Sequence, residues 1–148
     1  ICFFKNINYP DTYIKNILEK TNTIAVIGAS ANKERDSYKV MNNLIKNGYK
    51  VFPVNPNERG NLILGQECYS DIEDIKRHID LVDIFREKKA VMGIAKQAIK
   101  IGAKFLWMQE GIINNEAASL AESAGIKVIM NRCIKKELSK HYWTNKIK

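Results

Sequence analysis

Short, continuously apolar segments alternate along the chain with longer segments in which apolar residues recur every three or four positions. The short segments are typical of strands buried on both faces of a sheet, and the longer ones of amphipathic helices. Strands are predicted at residues 23–28, 50–54, 68–69, 81–85, 104–108 and 126–130. Helices are predicted at residues 9–20, 36–47, 72–77, 89–101 and 114–124, and from residue 134 onward; residues 57–65 are interpreted as a loop.

Strands that alternate with helices favour a parallel sheet with right-handed crossover connections. We therefore predict an α/β fold, a Rossmann-like three-layer domain with strand order 3-2-1-4-5-6. Such a sheet binds ligands in the crevice beyond the carboxyl ends of strands one and four. The first helix precedes this alternation, so we interpret residues 1–22 as an N-terminal helical extension of a domain that spans residues 23–148.

Charge and composition narrow the function classes. The chain has 148 residues, 45% of them hydrophobic, which suits one domain with one core. Its net charge of +8 comes mostly from lysines scattered among acidic residues. Without an arginine-rich helix, an aromatic RNA-binding segment or a helix-turn-helix spacing, the sequence argues against nucleic-acid binding. A basic field would also favour a cofactor that carries several phosphates.

The cysteine count, the apolar runs and the histidines exclude further classes. Three scattered cysteines do not form a disulfide framework or a metal site, and we interpret them as buried thiols in a reducing compartment. No apolar run approaches the roughly 20 residues of a membrane span, so we expect a cytoplasmic protein without a membrane partner. His78 and His141 lie away from the predicted strand tips. The apolar residues 1–4 offer a surface for a homodimer.

The loop after the first strand has the composition of a phosphate-binding turn. Its glycine permits a tight turn, small residues let backbone N–H groups approach a phosphate, and the next helix adds its positive end. Basic side chains in the loop could pair with phosphate oxygens. An ordinary strand-to-helix turn remains the alternative. The candidate residues are Gly28, Ala29, Ser30, Lys33 and Arg35.

Two departures disfavour a nicotinamide cofactor. In the pattern G-x-G-x-x-G the second and third glycines are replaced by Ser30 and Lys33. Enzymes that bind NAD usually carry an acidic residue at the end of strand two, where it holds the ribose hydroxyls. Here strand two ends in Val54, Asn55 and Pro56, and the sequence does not place Glu58 at that tip.

A set of segments in fixed order resembles a known family. The segments are AVIGAS at 25–30, SYKV at 37–40, GYKVFPVNP at 48–56, LG at 64–65, DLVDIFR at 80–86, IGAK at 101–104, WMQEG at 107–111 and NRC at 131–133. They resemble the stand-alone CoA-binding domain family, the YccU-like proteins, which are similar to the CoA-binding domain of the succinyl-CoA synthetase alpha subunit. The resemblance runs from about Thr23 to Lys140, most of the chain.

The resemblance implies that the ADP part of coenzyme A lies across the strand tips. Gly28, Ala29 and Ser30 would hold the pyrophosphate, with Ser37 or Tyr38 close by at the next helix start. In this way the implied cofactor contacts include the phosphate-binding turn that the loop composition suggests.

The same resemblance implies two walls for the adenosine. Asn55 and Pro56 would border it on one side, with Phe85 and Arg86 on the other. A charged side chain directly after a buried strand points into the crevice, which makes Arg86 the more informative of the two. The resemblance implies two residues near the pantetheine exit: Gln109 and Gly111.

The sequence shows no constellation for catalysis. We find no Ser/His/Asp set, no carboxylate pair of defined geometry and no metal-ligand spacing. We therefore favour a non-catalytic protein that binds coenzyme A or an acyl-CoA as a small-molecule partner, without a metal. The alternatives are an NAD(P)-dependent oxidoreductase, or a ligand-free interaction or nucleic-acid-associated domain with the same fold.

Overall fold

The computed structural model of the protein describes residues 9–140, which form a five-stranded sheet, a two-stranded sheet and five α-helices. The strands are β1 Thr23–Ile27, β2 Lys50–Val54, β3 Leu62–Ile63, β4 Gln66–Glu67, β5 Leu81–Ile84, β6 Phe105–Met108 and β7 Lys127–Ile129. The helices are α1 Asp11–Lys20, α2 Asp36–Lys46, α3 Lys88–Ile101, α4 Asn115–Ser123 and α5 Ile134–Leu138. Two short 3₁₀ helices span Pro56–Glu58 and Ile72–Asp74.

The large sheet is parallel, with the order β2-β1-β5-β6-β7. The predicted Rossmann-like fold is confirmed. The predicted third strand is reduced to one parallel bridge between Tyr69 and Val54, beyond β2. Tyr69 N–H donates to Pro53 O, and Tyr69 O accepts a bond from Asn55 N–H, but Pro53 has no N–H with which to continue the ladder.

Helices cover both faces of the sheet, which explains why the strands are continuously apolar. Alternate residues of β1 belong to two cores: Ala25 faces the core that contains residues of α3 and α4, and Val26 faces the core that contains residues of α1, α2 and α5. Both residues are fully buried. The result is a three-layer α/β arrangement in which helices cover the faces of the sheet and leave the ends of the strands accessible.

The connection from β2 to β5 differs from its prediction. Residues 57–65 contain part of a 3₁₀ helix and the first strand of the β3–β4 hairpin, and the helix predicted at 72–77 is a single 3₁₀ turn. The hairpin turns at Leu64 and Gly65, which both have positive φ angles, of 51° and 80°. Strands of two residues are too short to show an alternating pattern, so the sequence did not reveal them.

Helix α1 packs on the sheet rather than apart from it. Ile14, Ile17 and Leu18 are buried in the same core as residues of β1 and α2. The hydroxyl of Tyr13 donates to Val128 O at 3.0 Å, and that of Tyr49 donates to Leu18 O at 2.8 Å. The expected homodimer surface, residues 1–4, and the residues Cys2 and His141 lie outside the described residues.

The side chain of Asp80 links the start of β5 to the start of β1, at the amino ends of the strands. Its carboxylate accepts bonds from Asn22 N–H and Thr23 N–H at 2.9 and 3.2 Å. Burial alone would raise the pKa of Asp80, but these two bonds, with Lys104 and His78 nearby, hold the pKa below its usual value. His78 Nε2 lies 3.2 Å from the Asp80 carboxylate, so it belongs to this edge and not to the strand tips.

Asp83 lies in the middle of β5, fully buried. In the sheet register its Cα pairs with those of Val26 and Trp107, both in apolar surroundings. Within residues 9–140, neither carboxyl oxygen of Asp83 has a hydrogen-bond partner. Burial therefore raises the pKa of Asp83 well above its usual value, and the side chain keeps its proton when an exposed aspartate would lose it.

We expect Asp83 to make the stability fall as the pH rises. The unfolded chain releases this proton near pH 3.9 and the folded protein retains it, so the contribution is complete below that pH and declines up to the folded pKa, by up to about 1.4 kcal/mol per pH unit. Urea unfolding between pH 4 and 8 should show this slope in the wild type and not in Asp83→Asn. Asp74→Asn removes an exposed carboxyl and should keep the slope. Parallel profiles for the wild type and Asp83→Asn would contradict the assignment.

Candidate functional site

The loops that leave β1, β2 and β5 converge on one cleft at the carboxyl edge of the sheet. Its volume is about 780 Å³. Ile27, Val54 and Ile72 contribute apolar surface to it. The cleft brings together eight residues that the sequence singled out: Gly28, Ser30, Arg35, Ser37, Asn55, Pro56, Phe85 and Arg86.

Gly28 is the point at which the three loops come closest. Its N–H donates to Val54 O at 2.9 Å, which joins the ends of β1 and β2. Its φ of 93° is a conformation that other residues rarely adopt. A Cβ at this position would lie 2.7 Å from the carbonyl oxygen of Phe85 and 3.2 Å from Cδ of Arg86. Only a glycine therefore allows the loops after β1 and β5 to approach this closely.

The backbone N–H groups of the β1 loop are not all free for an anion. Those of Gly28 and Ala29 both donate to Val54 O, so these two groups already have an acceptor within the protein. Within the described part of the chain, the N–H groups of Ser30, Asp36 and Ser37 have no acceptor. All three residues line the cleft, and the last two open α2. The donors available to an anion are therefore offset toward the helix.

Glu58 fixes the β1 loop from outside the cleft. One of its carboxylate oxygens accepts from Ala31 N–H at 3.1 Å and the other from Nδ2 of Asn61 at 3.1 Å. The side chain of Asn55 adds a second link, because its Nδ2 donates to Ala29 O at 2.8 Å. The sequence did not assign this role to Glu58. The sequence feature that could have pointed to this role is the position of Glu58 shortly after β2, close to where NAD-binding enzymes carry the acidic residue that holds a ribose.

The charge around the cleft is mixed. Arg35 and Arg86 line it together with Glu34, Asp36 and Asp71. Nε of Arg86 lies 3.2 Å from the carboxylate of Glu87, and the Arg86 side chain remains 40% exposed.

Lys33 is exposed and does not line the cleft. Because three acidic and two basic side chains line the cleft, the net positive charge of the whole chain is not concentrated there.

A second cavity of about 680 Å³ adjoins the first. Asp36, Phe85 and Arg86 line both cavities, so the two meet at the tip of β5. Gln109 lines the second cavity.

Besides Lys33, three of the candidate residues line neither cavity. Gly111 N–H donates to Oδ1 of Asn131 at 2.7 Å, which places it in a turn. Ala29 is fully buried, and Tyr38 packs against the core of α1 and α2. The structure thus separates the residues that the resemblance assigned to the cofactor into two cavities and three supporting positions.

The two described cysteines have different surroundings. Cys68 is buried, and burial raises the pKa of its thiol although Asn55 O accepts a weak bond from Sγ. Cys133 is only half-buried and lines the second cavity, so the expectation of a buried thiol is wrong for this residue.

No group of His, Cys, Asp and Glu within residues 9–140 is placed to hold a metal ion. Over the same range, no helix combines the length and the apolar character that crossing a bilayer requires.

The parallel sheet and the cleft at its strand tips define a Rossmann-like architecture. The chain belongs to the CoA-binding domain family, whose sequence model matches residues 22–139. The resemblance found in the sequence is confirmed.

Related proteins cover nearly the same length. The chain is 35% identical over 122 residues to the uncharacterized protein YneT of Bacillus subtilis, a match that covers 82% of this chain and 89% of that protein. A solved structure of a hypothetical protein from Pyrococcus horikoshii is 41% identical, with a TM-score of 0.83, and the match covers 88% of this chain and 91% of that one.

A second group of relatives is much longer. The chain is 27% identical over 120 residues to an ADP-forming acetate–CoA ligase of Methanocaldococcus jannaschii, a match that covers 76% of this chain and 17% of the ligase. The chain therefore corresponds to a small part of that enzyme, and the similarity does not carry over the ligase activity.

We expect Gly28→Ala to destabilise the protein, because the new Cβ meets the Phe85 carbonyl and the backbone stays at an unfavourable φ angle. The strain should lower the free energy of unfolding by about 2 kcal/mol or more. Gly111→Ala is the matched control, since Gly111 has a φ of 87° and a Cβ there meets nothing within 4 Å. Urea unfolding should show the larger loss for Gly28→Ala, and equal losses would mean that the contact with β5 is not limiting.

Proposed function

We propose that the protein binds coenzyme A without catalytic chemistry of its own and holds the ADP part in the cleft between the loops after β1, β2 and β5. The observation that carries the proposal is that these three loops form one open cleft in a chain that belongs to the CoA-binding domain family. The volume of about 780 Å³ falls in the range of small-molecule sites.

The start of α2 supplies the groups that favour a pyrophosphate. The N–H groups of Ser30, Asp36 and Ser37 have no acceptor within residues 9–140, and all three residues line the cleft. An 11-residue helix also places its positive end there. Arg35 and Arg86 can pair with phosphate oxygens and offset the nearby carboxylates.

The opposite part of the cleft suits an adenosine. Ile27, Val54 and Ile72 give it apolar walls, and Phe85 supplies an aromatic ring. Asn55 is held by its own bond to Ala29 O, so the tip of β2 is a fixed border and not a mobile one. A planar base can bury its faces against such walls, whereas the sugar and phosphates extend toward α2.

A nicotinamide dinucleotide fits less well. The acidic residue that would hold its ribose is not at the end of β2, and Glu58 is engaged with Ala31 N–H and Asn61. The ligase relative is named for its reaction with coenzyme A, which supports the same cofactor for this chain. We also propose a cytoplasmic location, where coenzyme A is available.

Isothermal titration of the reduced protein should separate these ligands. We expect coenzyme A to bind with a Kd of about 1 μM or tighter, a free energy of about −8 kcal/mol. ADP, which lacks the pantetheine arm, should bind at least about tenfold more weakly. NAD and NADP should give no comparable heat. Tighter binding of NADP than of coenzyme A would instead support the oxidoreductase alternative.

Filling the cleft should weaken the binding of coenzyme A. Ser30→Trp introduces a large side chain beside the proposed pyrophosphate position, and we expect the affinity for coenzyme A to fall at least about tenfold. Ser119→Trp makes the same change on the exposed face of α4 and should bind as the wild type does. Circular dichroism should show that both variants are folded. If Ser30→Trp keeps its affinity, the cleft is not the site.

A further inference from the structure

The second cavity continues the cleft beyond the tip of β5. Asp36, Phe85 and Arg86 line both spaces, so a ligand can extend from one into the other without crossing the core. The second space has a volume of about 680 Å³ and lies between residues of α2 and α5. If the ADP part occupies the first cavity, the flexible arm of coenzyme A reaches the second.

Gln109 presents an unused hydrogen-bond donor in this second cavity. The residue is only 5% exposed, and its Oε1 accepts a bond of 3.4 Å from Ile134 N–H. Within the described part of the chain, its amide nitrogen has no acceptor. Gln109 lines the second cavity, so a water or a ligand oxygen in that cavity can accept this bond. The pantetheine arm carries two amide carbonyls that could serve.

Cys133 lies in the same cavity. It is a free thiol and only half-buried, directly before α5. Lys39 and Lys135 also line the cavity, and neither forms an ion pair within residues 9–140. Cys68 serves as a comparison for Cys133 within the same protein, because Cys68 is only 1% exposed and lines neither cavity.

From these placements we infer that Cys133 is a site of covalent modification by coenzyme A, through a mixed disulfide formed inside the second cavity. The inference rests on the proposed function, since binding of the ADP part is what brings the cofactor sulfur to the cysteine. The Gln109 amide positions the arm by donating to one of its carbonyl oxygens.

The reaction is thiol–disulfide exchange with the disulfide of coenzyme A as the co-reactant. The Cys133 thiol loses its proton, and its sulfur attacks one sulfur of the coenzyme A disulfide. A bond forms between Cys133 Sγ and that sulfur, and the original S–S bond breaks. The second coenzyme A leaves as a thiolate with the electron pair and takes up the proton. Excess thiol reverses the step.

Intact-mass and peptide mass spectrometry test the site directly. The protein should carry Cys2→Ser, because Cys2 lies outside the described residues. Incubation with coenzyme A disulfide should add the mass of one coenzyme A less two hydrogens, on the peptide that contains Cys133, and dithiothreitol should remove it. Cys133→Ser should give no adduct, and Cys68→Ser should react as its parent does. An adduct on Cys68 instead would overturn the inference.

The rate of thiol–disulfide exchange distinguishes a thiol in a coenzyme A binding site from a thiol that is merely exposed. Because binding raises the local concentration of the reacting sulfur, exchange with coenzyme A disulfide should be at least about tenfold faster than with glutathione disulfide. ADP should slow only the former reaction. Gln109→Leu should likewise slow the coenzyme A reaction and leave the glutathione reaction unchanged. Equal rates for the two disulfides, or no effect of ADP, would overturn the inference.

A binding measurement separates this inference from the function on which it rests. Reduced coenzyme A has no disulfide with which Cys133 can exchange, so titration of the wild type with reduced coenzyme A measures binding alone. If the wild type binds reduced coenzyme A but forms no adduct with the disulfide of coenzyme A, the modification site is refuted and the binding function stands. If the wild type does not bind reduced coenzyme A, the proposed function itself fails.

Discussion

The site depends on one close approach of main-chain groups at Gly28. The carbonyl of Val54 accepts the N–H groups of both Gly28 and Ala29, which binds the tip of β1 to the tip of β2. On the other side, the carbonyl oxygen of Phe85 leaves no room for a Cβ at residue 28. Three strand tips are thereby held at fixed spacing, and the cleft is the space that remains above them. Side chains then modify a shape that the backbone has already determined.

Hydrogen bonds that a ligand in the cleft would not contact maintain the shape of the cleft. Glu58 and Asn55 hold the β1 loop through Ala31 N–H and Ala29 O, so the loop is ordered by the connection that follows β2. The N–H groups between β1 and α2 therefore fall into two sets. Some donate to acceptors within the protein, and others, at the start of α2, remain available to an anion. The tip of β5 has a comparable double role, because Phe85 and Arg86 border both cavities.

The strands and helices were predictable because strands buried on both faces are continuously apolar, whereas amphipathic helices have apolar residues every three or four positions. The five strands of the large sheet follow from these patterns, and their order follows from the topology typical of a Rossmann-like fold. The β3–β4 hairpin does not, because two-residue strands carry no period, and its turn depends on the φ angles of Leu64 and Gly65. Asp83 shows the opposite case: a carboxyl inside an apolar run, whose neutral state follows only from its burial without a partner.

The sequence by itself determined the α/β class and the position of the cleft, since strand ends and loops can be recognised from local composition. Of the eight predicted residues that line the cleft, Gly28, Ser30 and Arg35 follow from the composition of one loop, and the other five follow from the family resemblance. The sequence did not determine which N–H groups are free, that Lys33 stays outside, or that Gly111 only supports a turn. Nor did it show that Cys133 and Gln109 share a cavity with α2. These facts involve residues far apart in the chain, and their distances are decided by packing that no local pattern contains.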